Sequence, residues 1–139
     1  MTDPVTSEVV RLIAQIVAMY TKEYETAAGA RDLTTIQAKV LVMLAEPMAM
    51  REIADRLGSE RSNVTGIIDR LEARGLVERR ADPVDRRVKK VARTAGGEAL
   101  ATGFAAELRF AAAPLAGLSV TDRTQLRDLL RQVAGTDLS

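Results

Sequence analysis

Apolar residues recur at steps of three and four along the first part of the chain, the spacing of one face of an α-helix. The residues that share this face are Val9, Leu12, Ile13, Ile16, Val17, Tyr20 and Tyr24. Asp3-Pro4 predicts the helix start, because proline fits the first turn, where a backbone N–H has no helical partner. Gly29 predicts its end. We therefore expect one amphipathic helix from about Val5 to Ala28.

Three shorter helices are predicted in close succession after this one. Their expected bounds are 33–46, 50–57 and 59 or 60 to 73. Thr34 or Thr35 caps the first, and Pro47 ends it because proline disfavours a helical residue before it. Gly58 and Gly75 end the other two. Such short connections predict that these helices pack against one another.

The last of these three helices has one apolar and one polar side. Its expected buried stripe is Val64, Ile67, Ile68 and Leu71. The opposite side carries Arg61, Ser62, Asn63, Thr65 and Gly66. These residues lie near the helix N-terminus, whose exposed N–H groups favour anions. They are therefore free to face a partner.

A hairpin and two further helices are predicted to complete the chain. Residues 76–80 and 86–93 form two strands joined by the turn ADPVD. The second strand is weakly hydrophobic, so we expect it to project from the core. Thr94 caps a long helix over 94–113, which Pro114 breaks. The final helix runs from Thr121 to Val133, with Thr121 or Ser119 as its cap.

The net charge of +1 hides an uneven distribution. Residues 51–93 carry a net charge of +4, and the remainder carries −3. Between Arg79 and Arg93 there are seven basic residues, opposed only by Asp82 and Asp85. Three short helices followed by a cationic hairpin are the order of a winged helix-turn-helix, which suits a DNA duplex. The alternative is an ordinary helical core with a solvated polar face.

Histidine and cysteine are both absent. Their absence excludes catalytic triads and dyads built on them, Cys/His zinc sites and disulfides. No glycine-rich phosphate loop is present either, so we predict no enzyme activity, no cofactor and no metal. The acidic, polar N-terminus is unlike a signal peptide, and no apolar run reaches the length of a membrane span. We therefore expect a cytoplasmic protein.

The stretches REIADRLG, ERSNVTGIIDRLEARGLVERR and DPVDRRVKKVARTAGG closely resemble the MarR (multiple-antibiotic-resistance regulator) family of bacterial transcription factors. The sharpest part is DPVDRR, followed seven residues later by Thr94 at a helix start. The strong resemblance covers residues 50–97. One departure is Arg93, because the family commonly has an apolar residue there.

The resemblance implies a mainly α fold with a small β-hairpin wing. A winged helix-turn-helix DNA-binding region is expected over residues 33–93. Helical dimerisation regions are expected over 1–32 and 94–139. An Ala-rich helix from Ala95 to Ala113 would expose too much apolar surface in a monomer of this size. A twofold dimer would place its two recognition helices about 34 Å apart, one turn of a palindromic duplex site.

The resemblance also implies roles for individual residues. The expected DNA-binding residues are Arg51, Arg61, Ser62, Asn63, Thr65, Asp85, Arg86, Arg87 and Lys89. Ser62, Asn63 and Thr65 are expected in the major groove, where asparagine can pair with adenine and threonine can contact a thymine methyl. Arg87 is expected in the minor groove. Asp85 is expected either to pair with an arginine that holds the wing or only to form the turn.

Family members often bind a small phenolic or aromatic ligand between the dimerisation helices and the winged domain. Candidate lining residues are Tyr20, Tyr24, Met43 and Arg109. The resulting hypothesis is a homodimeric, sequence-specific regulator, a repressor of nearby genes that a small molecule releases from a palindromic operator. The alternative is a winged-helix protein-interaction module that does not bind DNA directly.

Overall fold

The computed structural model describes residues 2–59, 61–110 and 112–135. The chain divides into two compact units, Met1–Glu107 and Leu108–Ser139. The helices are α1 (Pro4–Gly29), α2 (Thr35–Met43), α3 (Met50–Leu57), α4 (Arg61–Ala73), α5 (Ala95–Glu107) and α6 (Val120–Ala134). The strands are β1 (Met48–Ala49), β2 (Val77–Ala81) and β3 (Lys89–Arg93). The predicted class, mainly helical with a small β wing, is confirmed.

The helix starts follow the capping chemistry of the sequence. The Asp3 carboxylate accepts a hydrogen bond from the Thr6 N–H at 2.9 Å, which starts α1. The Thr34 hydroxyl accepts from the Gln37 N–H, and the Gln37 side chain accepts from the Thr34 N–H, which makes a capping box. Ser119 caps α6. Thr34 and Ser119 are thus the caps among the predicted alternatives, whereas Glu60 lies outside the described residues.

The sheet has three antiparallel strands in the order β1-β3-β2, one more than the predicted hairpin. Val91 of β3 pairs with Met48 on one side and with Arg79 on the other. The prediction that this strand projects from the core is wrong, because Val91 and Ala92 are both buried. The strand also begins at Lys89 instead of Arg86, so its paired part is shorter than predicted.

The core of the first unit is mainly aliphatic, with Tyr24 and Phe104 as its aromatic residues. Its most deeply buried side chains are Val40, Leu41, Leu44, Ile53, Val64, Ile68, Leu71, Val77, Val91 and Phe104. Ile67, which was expected in the buried stripe of α4, is only half-buried. Gly97 of α5 lies against the backbone of Leu76, where a Cβ atom would stand 1.9 Å from the Leu76 carbonyl oxygen. The base of the wing therefore packs directly on α5.

Two helices end earlier than predicted. Helix α2 ends at Met43 instead of residue 46, four residues before Pro47, so Pro47 is not the residue that ends it. Helix α5 ends at Glu107, and residues 110 and 112–117 form turns, so the prediction of a helix reaching Ala113 is wrong. Phe104 is the last buried residue of α5, so the residues beyond it add less packing to the helix, and Pro114 disfavours a helical conformation of Ala113 before it. Ala111 lies outside the described residues.

Much of α1 has no partner in its own unit. Its buried residues are Tyr24, Ala27 and Ala28, all near its end. Its exposed large apolar residues are Val5, Val9, Val10, Leu12, Ile13, Ile16, Val17, Met19 and Tyr20. In the second unit α6 buries none of its residues, and Leu129, Leu130 and Val133 are exposed. Within the described part of the chain, no helix is apolar enough over a sufficient length to cross a bilayer.

Candidate nucleic-acid interface

The first half of α4 presents a polar surface. Val64, Ile68 and Leu71 face the core and are fully buried. Ser62, Asn63 and Thr65 are exposed, as expected from their positions on the helix. Gly58 has a φ of +63°, a left-handed conformation that suits glycine and makes the corner between α3 and α4. Arg61 is the first residue of α4, and its side chain lies outside the described part.

Two aspartates build the tip of the wing. Asp82 accepts a hydrogen bond from the Val84 N–H at 2.8 Å, and this bond holds the pKa of its carboxyl below the ordinary value. Asp85 accepts from the Arg87 N–H at 3.1 Å, and the Asp85 carbonyl accepts from the Val88 N–H. These bonds replace the ladder that a longer β3 would have formed, so the tip is a structured turn.

Arg87 extends from this tip into solvent. Its side chain is 92% exposed, and its Nε lies 3.2 Å from Asp85 Oδ1. Asp85 therefore both pairs with an arginine and forms the turn, so the two expected alternatives occur together. An exposed ion pair of this kind contributes less than about 1 kcal/mol. Arg87 can therefore exchange this carboxylate for another anion at small cost.

Most of the basic residues of the wing are already paired. Arg79 on β2 binds two carboxylates of α4, with Nη2 2.7 Å from Asp69 Oδ1 and Nη1 2.6 Å from Glu72 Oε1. The hydrogen bond to Asp69 is the main cause of the raised pKa of Arg79. The remaining pairs are Arg80–Glu78, Lys90–Asp82 and Arg93–Glu98. Among the described residues of the wing, Arg86 and Lys89 have no carboxylate partner, so the spare charge lies at the tip.

The clamp that Arg79 makes with α4 was not foreseen. By sequence alone Arg79 is one of seven basic residues that carry the spare positive charge of the hairpin. The available signal was the spacing of Asp69 and Glu72, which puts two carboxylates on one face of α4 shortly before the strand. The clamp holds the wing against the predicted recognition helix.

A groove runs between the start of α3 and the wing. Its volume is about 720 Å³. Its lining residues are Ala49, Met50, Arg51, Glu52, Asp55, Arg87, Val88 and Lys89. The structure thus brings together Arg51, Arg87 and Lys89, three of the predicted DNA-binding residues. Two carboxylates, Glu52 and Asp55, line the same groove and moderate its positive potential.

Arg93 is accommodated at the base of the wing by polar contacts. Its side chain is only 12% exposed, and its Nη2 lies 2.9 Å from Glu98 Oε2 on α5. Its Nη1 donates to the Leu41 carbonyl oxygen on α2 at 3.2 Å. The buried Nε has no partner. A cation thus occupies a position where the family commonly has an apolar residue, and it links three elements.

The predicted ligand residues fall into different settings. Tyr24 is buried and packs edge-on against Phe104, with ring centroids 4.8 Å apart, and burial raises its pKa to about 12. Tyr20 is exposed and lies 5.8 Å from the Tyr24 ring. Met43 is half-buried at the end of α2, and Arg109 belongs to the second unit. The structure therefore brings together the two tyrosines of this set.

The chain is similar in sequence to known transcriptional regulators. Residues 33–89 match the model of the MarR family. The chain is 29% identical over 136 residues to the HTH-type transcriptional repressor NicR of Pseudomonas putida, which covers 96% of this chain and 86% of NicR. Residues 33–89 include α4 and the tip of the wing.

Solved structures agree over nearly the full length. The crystal structure of CouR from Rhodococcus jostii RHA1 bound to p-coumaroyl-CoA has a TM-score of 0.80 and 28% identity, with 99% of each chain covered. A MarR-family transcriptional regulator from Rhodococcus sp. RHA1 has a TM-score of 0.72 and 28% identity, with 96% of this chain and 98% of the other covered. These relatives are regulators and not enzymes. Residues 33–89 of this chain thus match the MarR family, and nearly the whole chain resembles winged helix-turn-helix transcriptional regulators of that family.

Proposed function

We propose that this regulator is a homodimeric, sequence-specific DNA-binding repressor of nearby genes that a small-molecule ligand releases from its operator. The observation that carries the proposal is the exposed polar start of α4, held by the Arg79 clamp to a wing whose tip presents Arg87 to solvent. A helix end that is polar, exposed and rigidly joined to a cationic wing suits two neighbouring grooves of a duplex.

The residues divide into two kinds of contact. Asn63 is the proposed base reader, because its amide can pair with both hydrogen-bonding groups of an adenine edge, with Ser62 and Thr65 beside it. Arg87 enters the minor groove, where negative potential is focused. The proposed phosphate contacts are Arg51, Arg61, Arg86 and Lys89, with Asp85 holding Arg87 in the free protein. Phosphate contacts position the protein, whereas base contacts specify the sequence.

The exposed apolar surface supports a dimer. Ile13 and Ile16, in the middle of the α1 stripe, are 41% and 46% exposed, and α6 leaves Val133 75% exposed. An apolar area of this extent on a soluble protein marks an interface. A second copy of the chain is the proposed partner. A twofold axis would bring the same apolar stripe of each copy together and would give the dimer two recognition helices.

Repression and ligand release are proposed from the relatives. NicR is a transcriptional repressor, and CouR binds p-coumaroyl-CoA. We propose that this chain also binds a small aromatic or phenolic ligand, near Tyr20 and Tyr24, with Met43 as a further candidate contact. Tyr20 is the exposed member of the Tyr20–Tyr24–Phe104 cluster and offers aromatic surface for such a ligand.

The test is a selection of DNA from a random duplex library by the purified protein, followed by binding measurements at several salt concentrations. We expect an enriched palindrome, saturable binding and a linear fall of log affinity with log salt. Sedimentation should give a dimer, and a panel of aromatic acids and their CoA thioesters should contain a compound that releases the DNA. If no sequence is enriched, the alternative of a protein-interaction module replaces the proposal.

A further inference from the structure

Arg74, the residue that follows α4, reaches the loop between α1 and α2. Its Nη1 donates to the Asp32 carbonyl oxygen at 2.8 Å, and its Nη2 donates to the Arg31 carbonyl oxygen at 3.1 Å. The two acceptors are 42 and 43 residues away in the sequence. A planar guanidinium that bonds two successive carbonyls fixes direction as well as distance. The end of the recognition helix is therefore tied to the end of α1.

The loop that accepts these bonds has little freedom of its own. Asp32 has a φ of +54°, in the left-handed region that non-glycine residues rarely adopt. The N–H groups of Arg31, Asp32 and Leu33 all donate back to carbonyls at the end of α1, two of them to Ala28. Leu33 is buried. The loop is therefore a rigid anchor for Arg74.

The Arg31 side chain ties the same loop to α5. Its Nη1 lies 2.9 Å from Glu107 Oε1 and donates to the Ala27 carbonyl oxygen at 3.3 Å. Gly103 leaves room for it, because a Cβ atom there would stand 3.0 Å from Arg31 Nη2. The loop thus joins the ends of α1 and α5 to the end of α4.

We infer that Arg74 is a positioning residue that sets the direction of the recognition helix relative to α1. The inference rests on the proposed function, in which α1 forms the dimer interface and α4 enters the major groove. In such a dimer the orientation of α4 on α1 determines the separation of the two recognition helices. Arg74 then governs which half-site spacing the dimer accepts, without contacting a base.

The test uses the operator selected by the wild-type protein. Duplexes are prepared in which the two half-sites are moved apart or together by one and two base pairs, each step being about 3.4 Å along the helix axis. A duplex with a single half-site measures the contacts of one recognition helix alone. The variants are Arg74→Ala and Arg74→Lys, since lysine keeps the charge but lacks the two-pronged fork. The control is Arg70→Ala, which removes an exposed charge from the same helix.

We expect the wild-type protein and the Arg70→Ala variant to have a sharp optimum of spacing. In both Arg74 variants the affinity at that optimum should fall about tenfold, because the two-pronged fork no longer fixes the direction of α4. Their affinity for misspaced duplexes should fall less, so the optimum flattens. Their affinity for the single half-site should stay within about twofold of wild type.

Three results separate the possible failures. If the wild-type protein enriches no sequence, the proposed function itself is overturned. If it binds and both Arg74 variants keep the sharp optimum, the positioning role is overturned while the proposed function stands. If they lose affinity equally for every duplex, including the half-site, Arg74 is a DNA contact and not a positioning residue. Arg74→Lys covers the case in which Arg74→Ala does not fold.

Discussion

Arg93 and Glu98 join the base of the wing to α5, with Nη2 of the arginine 2.9 Å from Oε2 of the glutamate. The arginine is nearly buried, whereas the glutamate side chain is 61% exposed. Solvent therefore screens one partner of the pair, and the buried Nε of Arg93 has no partner. An ion pair of this kind offsets the cost of burying the cation but adds little to the net stability of the fold.

This asymmetry predicts opposite effects for the two partners. Arg93→Leu should be neutral or should raise the free energy of unfolding by about 1 kcal/mol, because an apolar side chain removes the unsatisfied donor. Glu98→Gln should lower it by about 1 kcal/mol, because the buried cation loses its counter-charge. Urea denaturation of both variants checks this. A large loss of unfolding free energy in Arg93→Leu would mean that the Leu41 carbonyl needs the hydrogen bond from the arginine.

Two neighbouring glycines of α5 should respond in opposite directions to the same substitution. Gly97→Ala should destabilise the protein by about 3 kcal/mol or prevent folding, because its Cβ would collide with the Leu76 carbonyl oxygen. Gly96→Ala meets its nearest atom at 3.6 Å and should stabilise the helix by up to about 1 kcal/mol. Thermal unfolding followed by circular dichroism measures both. Equal effects would contradict the close approach of α5 to the wing.

Tyr24 should cause the free energy of unfolding to fall at alkaline pH. Its pKa is raised from 10.0 to about 12 in the folded protein, chiefly by burial. The stabilisation from the neutral phenol is therefore complete below pH 10.0 and is lost as the pH rises towards about 12. Tyr24→Phe should flatten this fall by on the order of 2 kcal/mol. Urea denaturation at pH about 8 and about 11.5 compares the two proteins, and parallel curves would contradict burial of the phenol.

Arg87 and Asn63 should affect DNA binding in different ways. Arg87→Ala should weaken binding and reduce the salt slope by about one unit, because one cation is removed from the negative potential of the minor groove. Asn63→Ala should cost about 1–3 kcal/mol at the cognate site and relax the preference at one base pair. Titrations of the selected operator and its single-base variants at several salt concentrations distinguish them. Equal weakening of all sequences by Asn63→Ala would exclude it as a base reader.

The elements with strong local signals were predicted well from the sequence. Helix α3 has the predicted bounds, because apolar residues at helical spacing, Ile53, Ala54 and Leu57, are followed by Gly58 with its left-handed backbone. The wing lies where DPVDRR predicted it. The start of α1 also follows, since Asp3 and Pro4 act through bonds to their nearest neighbours.

Features that depend on distant contacts were not predictable in the same way. Strand β1 has only two residues, too few to show a period, and it exists because it pairs with β3. Helix α5 stops where packing stops, after Phe104, although its alanines have a high intrinsic preference for helix. Arg74 has acceptors more than forty residues away, on carbonyls that no side-chain pattern reveals.

The pairing within the wing changes the electric field around it. Seven cations from Arg79 to Arg93 meet six carboxylates, two of their own segment and four from Asp69, Glu72, Glu78 and Glu98, which leaves one net positive charge. At distances beyond a Debye length, about 8 Å at physiological salt, the wing therefore exerts almost no electrostatic attraction on an anion. Attraction from a distance would contribute little to the rate of any encounter, and the wing acts at contact, through the unpaired cations of its tip.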